Sequence, residues 1–81
     1  MMKLKPEIDY GKFFTAIASC RGDVYFDTAE NDHLNLKSTL SQFVFASALS
    51  QYKGILDGVV TCMVEEDYLS LQNFLESEAN V

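Results

Sequence analysis

Proline occurs once in this 81-residue chain and glycine four times. Disordered and low-complexity chains carry far more of both, so a folded domain is expected. Basic residues are also few: six Lys and Arg stand against twelve Asp and Glu, a formal net charge of −6. Phosphate backbones and anionic membrane surfaces are held by clustered cations, which excludes nucleic acid and membrane as expected partners. Long apolar runs are missing. The longest, Phe43–Leu49, is interrupted by Ser47 and falls far short of the roughly 20 residues a bilayer requires. Met1-Met2-Lys3-Leu4-Lys5-Pro6 is positively charged but leads into no apolar segment, so no signal peptide is expected and the expected location is cytoplasmic. Cys20, Cys62 and the single histidine, His33, show no metal-ligand spacing, and neither metal nor cofactor is expected. A Cys20–Cys62 disulfide is possible in principle; two buried free thiols are the reading that suits an intracellular chain.

What is present suits one small domain over residues 1–81. Apolar residues make up 48% of the chain, with six Phe and four Tyr, enough for a dense core. Met2–Lys5 alternates weakly and reads as a first strand ended by Pro6. Asp9 is placed to cap a helix in which Tyr10, Phe13, Phe14 and Ile17 recur at i, i+3, i+4 and i+7, up to Ser19 or Cys20. Asp23–Asp27 alternates, with Val24 and Phe26 on one side and Tyr25 and Asp27 on the other. Thr28–Asp32 is a polar hairpin loop and His33–Leu36 the return strand, with Leu34 and Leu36 inward.

Ser38 opens a second helix carrying Leu40, Phe43, Val44 and Ser47 at helical spacing and ending at Tyr52-Lys53-Gly54. Asp57-Gly58 signals a turn and Val59–Val64 a β-branched fourth strand. Glu65-Glu66-Asp67 supplies an acidic first turn to a last helix with Tyr68, Leu71 and Leu75 inward and Phe74 beside them, before a fraying tail, Ser77–Val81. The order β-α-β-β-α-β-α predicts an α+β fold, with helices packed on one face of a largely antiparallel sheet.

The stretch Asp23-Val24-Tyr25-Phe26-Asp27, a polar hairpin, then Leu34-Asn35-Leu36-Lys37-Ser38 resembles HPr, the small phosphocarrier of the bacterial sugar phosphotransferase system. The resemblance covers most of the chain in element order. It implies an open-faced β-sandwich of four antiparallel strands covered by three helices. It also implies that Ser38 stands where the family has its regulatory phosphoserine. Leu40 and Phe43, with Thr39 and Lys37, then stand on the family's partner-docking patch, toward an HPr kinase or a transcriptional regulator. The departure is as informative. The family carries its phosphoryl group on a histidine just before the first helix, and Pro6–Tyr10 here contains neither His nor Arg. Glu7 and Asp9 would repel a phosphate, whereas phosphohistidine chemistry needs an imidazole nucleophile and donors for the phosphoryl oxygens.

Each candidate carries a plain reading beside the functional one. Ser38 is an N-cap serine or a phosphosite; a phosphate there meets the positive end of the helix dipole, with Lys37 adjacent. Leu40 and Phe43 are core or docking surface. His33 reads as a solvated strand residue, open to pairing with Asp32, rather than a displaced phospho-acceptor. Glu65, Glu66 and Asp67, being consecutive, do not converge as a catalytic pair and read as dipole complements. The expectation is a non-enzymatic, HPr-like regulatory or protein-binding module. A phosphocarrier with a displaced acceptor and a structural, self-associating subunit are the alternatives.

Overall fold

In the computed structural model, which describes residues 2–51 and 57–77, Asp9 starts the first helix as its position predicts. Its carboxylate accepts the Lys12 N–H at 3.1 Å, satisfying one donor of the open first turn. The chain runs β1 (Met2–Leu4), α1 (Tyr10–Ala18), β2 (Val24–Thr28), β3 (His33–Asn35), α2 (Thr39–Gln51), β4 (Gly58–Cys62), α3 (Asp67–Leu71) and β5 (Leu75–Ser77). It is a small mixed α+β protein. Its strands form two antiparallel sheets, β3-β2-β4 and β1-β5.

The period-2 pattern in β2 holds: Val24 and Phe26 are buried while Tyr25 and Asp27 lie half-exposed on the other side. β4 alternates the same way, with Gly58, Val60 and Cys62 buried. The two pair from Val24↔Cys62 to Thr28↔Gly58, and β3 pairs the opposite edge of β2. Phe13 and Ile17 of α1 complete the core with Cys20, Leu36, Phe45, Leu71 and Leu75, and Tyr10 and Phe14 pack half-buried against it. Phe45 anchors α2 on the sheet, its ring 5.2 Å from that of Phe26 in an edge-to-face arrangement and close to Tyr10 and Phe14.

The end of the chain differs from expectation. The last helix stops at Leu71, and Phe74 lies in the turn that follows it. Leu75 begins a fifth strand that pairs antiparallel with β1 in the register Leu4↔Leu75 and Met2↔Ser77. A single four-stranded sheet is therefore replaced by a three-stranded and a two-stranded one, although β1 also packs against β4. The physical reason is visible at Leu75. Its spacing from Tyr68 and Leu71 suits a helix, but burial of Leu75 beside exposed Glu76 also suits a strand, and pairing with β1 satisfies its backbone groups. Ser77 accordingly belongs to β5 instead of a frayed tail. Pro6 and Glu7 turn the chain between β1 and α1, with Glu7 at φ 60°. The expected helix end at residues 52–54 and the tail from residue 78 lie outside the described residues.

Candidate functional site

α2 is positioned by Phe45, and that one contact decides what faces solvent. Residues two apart on a helix point about 200° apart, so burying Phe45 turns Phe43 outward. Phe43 is 68% exposed, Leu40 74% and Val44 47%. Of the two readings given for Leu40 and Phe43, core packing is excluded by this exposure: together with Val44 and exposed Thr39 they make an apolar surface. The inward side is formed by Phe45, with Gln42 and Leu49 partly buried, and the Gln42 side-chain amide donates to the Leu36 carbonyl at 2.8 Å. Periodicity could not choose between these faces because both are apolar.

Ser38 stands at the head of this surface. Its carbonyl accepts the Gln42 N–H at 3.0 Å, and its own N–H donates to Asn35 at 2.9 Å. Its Oγ accepts the Ser41 N–H at 3.5 Å, the outer limit of a hydrogen bond, so the cap is loose and the hydroxyl only weakly engaged. The Lys37 ammonium is directed away from the helix start: it donates to the Cys20 carbonyl, just past the end of α1. Val44 is the surface residue that sequence reasoning left outside the docking set, and its signal was the i+4 step from Leu40.

His33 lies on the solvent side of the hairpin. Its Nδ1 meets the Asp27 carboxylate across the β2–β3 pair, and its ring stacks on Tyr25 at 4.3 Å and 12°. The partner is the cross-strand Asp27, instead of the adjacent Asp32. Asp32 serves the hairpin, its backbone N–H and a carboxylate oxygen both meeting the Thr28 hydroxyl. The described residues contain no group of three His, Cys, Asp or Glu that could hold a metal.

Asp67 departs from its expected role as a dipole complement. It is buried, and its two carboxylate oxygens accept the backbone N–H groups of Arg21 and Gly22, each at 2.9 Å. These bonds, Arg21 first, hold its carboxyl below the usual range, against the opposing effect of burial. Glu65 and Glu66 remain exposed beside Tyr68 and Leu69 on a shallow cleft of about 410 Å³. Cys20 and Cys62 are buried free thiols. Burial pushes both up, Cys62 to about 11. No described helix is long and apolar enough to cross a membrane. Compared with known proteins, the chain matches no family model, no curated protein and no solved structure.

Proposed function

We propose that this chain is a non-catalytic, HPr-like protein-binding module that docks through the outward face of α2 and is controlled by phosphorylation of Ser38. The observation that carries the reading is the exposure of Leu40 and Phe43 directly after the serine that heads their helix. An apolar surface of this kind needs a partner. A serine hydroxyl one turn away, loosely bonded at the positive end of a 13-residue helix, is placed to add charge beside it. The Asn35-Leu36-Lys37-Ser38 motif and the element order as far as β4 support the family likeness; β5 is a departure from it. The absence of His from Pro6–Tyr10 supports a role in binding instead of phosphoryl carriage. The resemblance supports a role in the regulation of bacterial carbohydrate uptake, in the cytoplasm.

The test is incubation with an HPr kinase/phosphorylase and ATP, with the phosphate mapped by mass spectrometry. Label on Ser38 is expected, and a chain left unlabelled by a cognate kinase removes the regulatory part of the reading. A parallel incubation with phosphoenolpyruvate and enzyme I is expected to leave His33 unmodified, because Asp27 already faces its imidazole and would repel an incoming phosphoryl group. Phosphohistidine at His33 would instead establish the displaced-acceptor phosphocarrier.

A further inference from the structure

The outward face of α2 is divided by size. Leu40, Phe43 and Val44 fill its N-terminal half, while the exposed residues described after them, Ala46, Ser47 and Ser50, are small. Such a face is complementary to itself when inverted. An antiparallel two-fold pairing lays the bulky half of one helix against the small half of the other. The helix is also uncharged from Thr39 to Gln51, in a chain of net charge −6. Two acidic molecules repel over most of their surfaces. This helix is where they can meet without stripping water from a charge or setting like charges opposite. A basic partner finds no anion on this face to draw it there.

We propose that the occupant of the face is a second copy of this chain, held by antiparallel pairing of two α2 helices. The inference rests on the reading of α2 as a docking face and names its partner. Three large side chains and their small neighbours fall short of the roughly 800 Å² per partner of a standard interface, so the dimer is weak, with Kd on the order of 100 μM. Because the copies repel at long range, added salt screens the repulsion and tightens the pair. A complex drawn together by opposite charges would loosen.

Sedimentation equilibrium of the full chain, from about 10 μM to about 1 mM at low and high salt, tests this. A monomer–dimer equilibrium that tightens with salt is expected. Phe43→Glu should weaken it about tenfold or more with an unchanged circular dichroism spectrum, and Leu40→Glu serves if that variant does not fold. Leu69→Glu, on α3, should leave it unchanged. Mixing Phe43→Glu with Ser47→Lys copies should recover association, since the antiparallel pairing sets Phe43 of one helix against the small half of the other. A strict monomer at every concentration, or a dimer indifferent to both Phe43→Glu and Leu40→Glu, overturns the proposal. Phosphorylation of Ser38 is scored separately, so a monomer that is still phosphorylated overturns the second-copy occupant alone.

Discussion

The carboxylate of Asp67 accepts the backbone N–H of Gly22 at 2.9 Å, tying the start of α3 to the turn that leaves α1. Its other oxygen takes the Arg21 N–H, so one side chain satisfies two amides that no strand or helix claims. Gly22 is fitted tightly there: a Cβ at this position would lie 2.6 Å from the Val64 side chain. The turn is therefore closed from one side by a charge and from the other by packing.

Asp67→Asn keeps the shape but leaves one carbonyl oxygen for two N–H donors and puts an amide donor in place of the second acceptor. The variant should unfold at a lower urea concentration with an unchanged m-value. The pH dependence follows from the depressed carboxyl. A group with a lowered folded pKa contributes stability that is complete above its unfolded value, about 3.9, and is lost as pH falls through the folded one. Wild type should lose stability below about pH 4, and Asp67→Asn should show a shallower acid limb. Equal slopes would mean that the contact does not discriminate between charge states.

Gly58 is required by space, not by turn geometry. It is the first residue of β4, and an added Cβ would sit 2.6 Å from the Phe26 ring and 2.8 Å from the Asp27 carbonyl oxygen. A backbone oxygen in a paired strand cannot swing aside. Gly58→Ala is therefore expected to cost about 1–3 kcal/mol, the range for overpacking a well-filled site. Urea denaturation measures it, and a loss below about 0.5 kcal/mol, typical of a surface change, would contradict the close fit.

Cys62 makes an alkaline prediction. Burial first, then the neighbouring Cys20 and Asp67, disfavour its thiolate and push it up to about 11. The raised value means that its contribution is complete below the unfolded thiol value, about 8.5, and is lost as pH rises toward the folded one. Stability should fall between about pH 8.5 and pH 11, and Cys62→Ala should flatten that fall. Below that window a thiol reagent should modify Cys62 only as fast as the protein opens. Immediate labelling of the folded chain would contradict its burial.

These contacts also explain how far the sequence could be read. α1 and the β2–β3 hairpin were legible because each carries one clean period, Phe13 and Ile17 on a helix, Val24 and Phe26 on a strand. α2 was legible as a helix but not in its orientation, since Phe45 and Phe43 are equally apolar and only tertiary packing separates them. Leu75 fitted two periods and took the one that pairs β1. Asp67 gave no local sign of its role: its partners lie 45 and 46 residues away, and its place beside Glu65 and Glu66 suggested only helix-dipole charge. The candidate surface was named by Ser38, Leu40 and Phe43, and what the sequence could not supply was which way Phe43 points.

Ser38 offers a stability measurement independent of any kinase. A well-formed serine cap is worth about 1 kcal/mol, but here Oγ meets the Ser41 N–H at 3.5 Å. Ser38→Ala should accordingly cost less than a normal cap, about 0.5 kcal/mol or below. Ser38→Asp places a full negative charge at the positive end of α2 and should recover that loss and add about 0.3–1 kcal/mol, fading as salt screens it. The two variants bracket what a phosphate would meet. If Ser38→Asp were less stable than Ser38→Ala at low salt, the helix start would reject negative charge, and a phosphoserine at this position would have to unfold the first turn of the docking helix to form.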